Sequence, residues 1–463
     1  MKKYILILLL FSIPIRIYSQ ITIYNTEFYN YLESTSQNNE GTFSILEKID
    51  YLINNPINLK TASINQILNI PCINYIDAYL IHNLFINNNI VTIDTITKYI
   101  SINKEQLNIL KLCSIISQNK TDTNNYFNAL FQLRISKNSK TIQNYSPYLN
   151  TDDNFLLYNN YTFNYKEKYN AKITLNKKAG MKNILEFYSG FLEYNEGNLQ
   201  LLLGDFEIKT GLGNICGGNS YFVKSSNIIE PTINYSNIIS PFLSTNNNLI
   251  LRGIATQYTF NLYKELNLTS MLWYSNTNHS NINKFNTDLI LSENSIINNL
   301  FNEQFTGVSL ILNSCSYSLG LNIAYFDYKK KNKDTNTTIN IYPNYGFLNS
   351  FFAIYNIKKI NVCGELTFDN NNNNAGIKIS SVYKDKNFDF VLNIRSYEDK
   401  FYSPFGINFG EFPNLSNEIG LYIGFIWKKD NTLQNYTYID FFKSYSPTPL
   451  IDTIVKGLDI FIN

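Results

Sequence analysis

The sequence predicts a mainly β fold, an antiparallel transmembrane-type β-barrel behind a small all-α N-terminal domain. Three observations carry that expectation. Near Asn124 the spacing of apolar residues changes from a period of 3.6 to a period of 2, the change from helix to strand. Tyr and Phe are abundant, at 36 and 32, while Gly and Pro number only 20 and 11, a balance that favours β-structure over disorder in spite of the many Asn runs. The chain also opens on MKKYILILLLFSIPIRIYS, two lysines ahead of a short apolar stretch with small Ser19 before Gln20, the pattern of a secretory signal peptide. No later window offers the ~20 consecutive apolar residues of a spanning helix. An exported chain without such a helix can be held in a membrane only as a barrel.

These features divide the chain into a signal peptide (1–19), a linker (20–42), a helical domain (43–116), a second linker (117–123) and the barrel (124–463). In the helical domain, Ile45, Leu46, Ile49, Leu52 and Ile53 recur at three- and four-residue spacing, one face of a helix. The stretch INLKTASINQILNIPCIN follows over 57–74. Thr61 is suited to cap a helix over 62–69, and Pro71 cannot extend it. A second helix is expected through Ile76, Leu80, Ile81, Leu84 and Phe85. The plan of helix, turn and helix repeats over 94–112, with its turn at 100–103, so that two units back to back would bury one shared core.

In the barrel, Ile254, Tyr258, Phe260 and Leu262 alternate with Gly253, Ala255, Gln257, Thr259 and Asn261 before Lys264 and Glu265 turn the chain, and the return run sets Leu266, Leu268, Leu272 and Tyr274 on one face. Further on, Phe388, Phe390, Leu392 and Ile394 oppose Asp389, Val391, Asn393 and Arg395. In NEIGLYIGFIW, Ile419, Leu421, Ile423, Phe425 and Trp427 oppose Glu418, Gly420, Tyr422 and Gly424. An apolar outer face, a polar or glycine inner face and terminal aromatics are what a membrane barrel requires, and ~20–25 residues per strand with its loop supply roughly 14–16 strands. Asn-rich stretches such as 370–374 are expected to be loops. The last segment, GLDIFIN, predicts a short final strand ending at Asn463, so a C-terminally truncated barrel with closure not assured is the expectation. A soluble β-sandwich would alternate in the same way, with its apolar side buried against a second sheet.

The segment INLKTASINQILNIPCINYIDAYLIHNLF, with Asn58, Thr61, Ala62, Ser63, Leu68 and Pro71 in place, resembles the helix-hairpin-helix domain of competence-type (ComEA-like) DNA receptors. LLLGDFEIKTGLG, SPFLSTNNNLILRGIA and IRSYEDKFYSPFGINFGEFPNLSNEIGLYIG follow in order. Together they resemble the Bacteroidetes proteins that carry a helix-hairpin-helix domain ahead of an outer-membrane barrel. The resemblance covers nearly the whole mature chain. It implies a tandem helix-hairpin-helix domain in the periplasm and a barrel in the outer membrane, and it implies no settled activity.

A working helix-hairpin-helix uses hairpin glycines so that backbone N–H groups at a helix N-terminus approach a DNA phosphate. Here those positions hold Cys72 and Asn74 in the first unit and Ser101 and Asn103 in the second. The candidate backbone contacts are therefore Lys60, Cys72, Ile73, Asn74, Ser101, Asn103 and Lys104. Over 57–116 four lysines face three acids, a net charge of +1, which releases few counterions and binds DNA weakly. The whole chain carries only +2 over 463 residues. Cys72 reads as a small apolar turn residue rather than a reactive thiol.

Arg134, Asp389, Arg395, Glu418 and Asp440 are the candidate lumen residues, because each alternates with outward apolar neighbours. They could filter solutes or form a closed network of ion pairs, and the second is favoured because charges inside a barrel need partners. LLLGDFEIKTGLGNICGG lacks the lysine and hydroxyl order of a phosphate loop and reads as strand, turn and bulge. Five scattered cysteines and two histidines point to neither a disulfide framework nor a metal site. His279, in an apparent loop, has no recognisable catalytic partner. The expectation is a non-enzyme without cofactors, an outer-membrane barrel acting as a channel or an envelope-assembly scaffold. Outer-membrane lipid and a periplasmic protein would be its partners. Nucleic acid is not favoured, and DNA uptake and a soluble secreted binding protein are the alternatives.

Overall fold

The structure, a computed structural model, describes residues 39–73, 75–87, 92–98, 102, 104–116, 127–137, 155–166, 168–177, 187–218, 224, 228–229, 231–233, 235–243, 250–263, 266–279, 301–314, 316–330, 343–357, 359–385, 387–407, 409–411, 415–428, 434–447 and 453–462. The expected signal peptide lies outside them.

The first described helix, α1 (Asn39–Asn54), starts ahead of Phe43. It buries Leu46, Ile49 and Leu52, the face its spacing predicts. The next helix, α2 (Ile64–Ile67), is shorter than expected, and its cap is Ser63 rather than Thr61. The physical reason is a capping box: the Ser63 hydroxyl accepts from the Gln66 N–H while the Gln66 side chain accepts from the Ser63 N–H. Thr61 instead belongs to a turn, with its own N–H and that of Ala62 both donating to the Asn58 carbonyl. Helix α3 (Tyr75–Asn87), a 3-10 helix (Ile93–Lys98) and α4 (Lys104–Cys113) follow among the described residues. One core joins them, with Ile49, Leu59, Ile67, Ile81, Ile96 and Ile109 fully buried. A small parallel pairing of β1 (Ile57–Asn58) with β2 (Ser114–Ile115) ties its two ends together, a link the sequence pattern does not announce.

The remaining strands form one antiparallel sheet. The first half comprises β3 (Phe127–Lys137), β4 (Phe155–Tyr165), β5 (Tyr169–Lys177), β6 (Phe187–Glu196) and β7 (Leu199–Thr210). After the short β8 (Cys216–Gly217) and β9 (Ile238–Pro241) come β10 (Leu251–Tyr263), β11 (Leu266–His279), β12 (Phe301–Asn313), β13 (Tyr317–Lys330), β14 (Tyr345–Ile357), β15 (Ile360–Asp369) and β16 (Asn374–Lys384). Then follow β17 (Phe388–Tyr397), β18 (Glu418–Lys428), β19 (Gln434–Lys443) and β20 (Lys456–Ile462). Without β8 and β9, sixteen strands of seven residues or more are described, within the expected range. His279 is the last residue of β11, not a loop residue, because β12 pairs with it at Phe301. Asn374 likewise opens β16 rather than closing the preceding loop.

Neighbouring long strands follow sequence order from β3 to β7 and from β10 to β20, and β7 pairs with β10, Gly204 facing Gly253, while its C-terminal half also pairs with β8 and β9. That pairing bends the sheet back on itself. In the sheet order β20 and β3 adjoin. One curved sheet replaces the two packed layers that a sandwich would need.

Outward positions are apolar and exposed, for example Leu319, Leu321 and Ile323 on β13 and Phe347, Phe351 and Tyr355 on β14. Inward positions of the same strands, such as Asn322, Phe326, Leu348 and Phe352, are buried. An 11-residue strand at ~3.4 Å per residue and ~40° tilt rises about 28 Å, near the ~25 Å apolar band of a membrane barrel. Among the described residues no helix is long and apolar enough to cross a membrane.

Candidate functional site

The inner wall collects the polar residues that period-2 alternation turns away from the apolar outside. Arg395 on β17 is fully buried. Its Nε donates to the Glu418 carboxylate at 2.5 Å, and its two terminal nitrogens donate to both oxygens of Asp440 at 2.9 Å each. Register explains the convergence: Arg395 stands opposite Gly420, which offers no side chain, and the guanidinium passes over it toward β19. Asp440 and Glu411 also grip the Lys224 ammonium, and Asp459 stands 3.9 Å from it. Further along the wall, Asp389 pairs with Lys428 at 2.7 Å. A buried arginine held by two carboxylates in a bidentate fork is the arrangement that offsets the cost of desolvating it.

Lys224 belongs to the segment between β7 and β10, which crosses the lumen to the far wall. The Glu365 carboxylate on β15 accepts from the N–H groups of Leu212 and Asn214 at 2.7 and 3.3 Å. Ser380 donates to the Thr232 carbonyl at 2.6 Å, and Tyr422 donates to the Ile228 carbonyl at 3.2 Å. Leu212, Ile215, Ile228, Ile233 and Tyr235 share one apolar core with inward Phe305, Phe326, Phe352 and Val391. The loop between β17 and β18 joins this packing, with Gly217 donating to Phe405 and Ile407 donating to Gly213. Gly213 (φ 95°) has no room for a Cβ, which would fall 2.5 Å from the Ile407 carbonyl oxygen. The described residues of 211–243 thus form a plug, and LLLGDFEIKTGLGNICGG is the strand and turn that begin it.

From the other end the lumen receives α1. Asn164 near the end of β4 donates to Asn55 at 2.6 Å, Tyr51 meets Phe191 edge to face at 6.4 Å, and Lys48 reaches Glu207 at 3.5 Å. Glu47 and Asp50 face Lys172 on β5 electrostatically. At the rim, Asp77 in the first turn of α3 is 2% exposed and accepts from Lys384 at 3.0 Å. Chain from both ends therefore occupies the lumen.

Of the DNA-backbone candidates, Asn74, Ser101 and Asn103 lie outside the described residues, and of Lys104 only its place as the first residue of α4 is described. Lys60 is half-buried and Ile73 buried. Cys72 takes the left-handed conformation (φ 64°) expected at a hairpin glycine position, and its carbonyl accepts from Gln106 at 2.9 Å. Burial pushes the Cys113 thiol up to about 12, with Cys72 nearby adding to the shift. His82, whose Nδ1 lies 3.0 Å from the Ala62 carbonyl, is held below its ordinary value by burial, which that carbonyl partly offsets.

Of the lumen candidates, Arg395, Glu418 and Asp440 meet in one cluster. Asp389 sits apart with Lys428, and Arg134 is exposed on β3 with its guanidinium 5.7 Å from the Tyr158 ring. Lys224, Glu365 and Lys384 were not foreseen, because nothing in their local sequence shows that a plug or a rim contact awaits them. Among the described residues no group of three His, Cys, Asp or Glu side chains could hold a metal.

No protein-family model matches the chain, and no curated protein matches its sequence. Among solved structures, a double mutant of the Rhodopseudomonas blastica porin aligns at 9% identity and a TM-score of 0.29, over 73% of this chain and 98% of that one. A triple mutant of the same porin aligns at 9% identity and a TM-score of 0.28, over 73% and 100%. Superposition this loose leaves the architecture resting on strand register and on which faces are buried.

Proposed function

We propose that the chain is an outer-membrane β-barrel sealed by its own residues, which anchors and presents its helical module at the periplasmic face. The single observation that supports the seal is the double filling of the lumen, by the described residues of 211–243 from one end and by α1 from the other. A solute filter needs a continuous aqueous path. Here the charges that would line one are spent on each other and on the plug. The outward apolar face supports the membrane setting, since an exposed band of this size is costly in water. A scaffold or envelope-assembly role follows, with a protein partner at the helical module, and the chain carries no catalytic constellation in this reading.

The test uses full-length protein reconstituted in lipid vesicles and planar bilayers. Flotation with the vesicles and no steady conductance at moderate voltage are expected. A protein soluble without detergent would remove the membrane reading, and a sustained conductance in the unaltered protein would remove the seal.

DNA uptake, the alternative implied by the resemblance to competence receptors, loses support at α3. A phosphate approaching that helix N-terminus would meet Asp77, a buried carboxylate already paired with Lys384. Like charge there opposes the favourable helix dipole.

A further inference from the structure

We propose that the outward groove across β4 to β7 binds one phospholipid with an anionic headgroup, in the leaflet on the side of the helical module. The inference rests on the membrane reading above. Ala171 on β5 faces outward between Phe163 of β4 and Leu192 of β6, and Leu203 of β7 continues the row. One row nearer the turns stand Tyr165, Tyr169, Tyr194 and Leu201. The small alanine among large neighbours leaves a groove of about 230 Å³ whose walls these residues form. Leu192 is 59% exposed, so the groove opens to the surroundings and not to the lumen.

Its rim has the chemistry of a membrane interface. Tyr165 and Tyr169 lie 6.1 Å apart and Tyr169 and Tyr194 lie 5.0 Å apart, ring to ring. Tyrosine at this depth keeps its ring in the apolar layer and its hydroxyl at the headgroups. Directly beyond Tyr165 the chain turns at Lys166, in the left-handed region (φ 54°), and the ammonium sits 5.1 Å from the Tyr165 ring centre. Lys168 is held by Glu196, which also accepts from the Tyr194 hydroxyl. Lys166 is therefore the cation placed to meet a phosphate, with the acyl chain lying over Ala171. Continuity with the lipid-facing band selects a lipid over a peptide as occupant.

Native mass spectrometry of the full-length protein, titrated with phosphatidylglycerol and with phosphatidylcholine of matched chains, tests the site. One phosphatidylglycerol should survive delipidation of the unaltered protein. Lys166→Ala should lower its retention about fivefold and leave phosphatidylcholine unchanged, the effect of one lysine near a membrane surface. Ala171→Phe, which fills the groove, should lower retention of both lipids; Lys166→Ala, at an exposed turn, keeps the test decisive if Ala171→Phe fails to fold. Equal retention in all three proteins would overturn the site while vesicle flotation remained intact, whereas loss of flotation in the unaltered protein would overturn the membrane reading itself. A dimer that Ala171→Phe dissociates would show that a second copy of the chain fills the groove, and would also overturn the lipid.

Discussion

Arg395 shows how one inward residue organises a wall. With both Asp440 oxygens and the Glu418 carboxylate as its acceptors, its removal takes the guanidinium from two buried carboxylates and leaves Asp440 to Lys224 and Glu418 to the Glu411 N–H. Arg395→Ala should cost about 3–5 kcal/mol, the usual consequence of breaking a buried pair from one side, read as a lower unfolding temperature of the detergent-solubilised protein. His82 gives a pH-dependent case outside the barrel wall. Its folded pKa lies below the unfolded value near 6.5, so the unfolded state binds more protons between the two. The stability is fully present above that unfolded value and is lost as pH falls from it toward the folded one. Protection factors at α3, exchange rates corrected for the intrinsic pH dependence of amide exchange, should therefore fall from pH 7.5 to pH 5.5, and His82→Gln should flatten that change.

At the scale of elements, local capping explains the first helical hairpin better than hydrophobic spacing does. Ser63 and Gln66 satisfy each other's exposed backbone donors, and this settles where α2 starts. The plug is governed by its contacts with the wall. Lys224 is its ionic fastening, and Asp440 keeps Arg395 as a partner if that fastening is removed. Lys224→Met should loosen the plug by about 1.5–3 kcal/mol, the range for a hydrogen bond to a charged group. The expected signs are faster hydrogen exchange over residues 211–243 and brief conductance bursts in planar bilayers, with strand content unchanged. Exchange identical to the unaltered protein would show that the apolar core of the plug holds it without the lysine.

At the scale of the whole molecule, a net charge of +2 and an acid buried at the α3 N-terminus leave little for a polyanion to bind. Full-length protein should show no retention of duplex DNA at low ionic strength, measured by mobility shift in detergent. Strand identity, the inward and outward faces, and membership of Arg395, Glu418 and Asp440 in an inner wall were legible in the sequence, because a period of 2 assigns faces residue by residue. Charge and composition likewise bounded the chemistry. Only the tertiary structure decided that described chain from both ends enters the lumen. Lys224 meets Asp440 across 216 residues of chain and Asp77 meets Lys384 across 307, and contacts at such separation leave no periodic mark in the segments that make them.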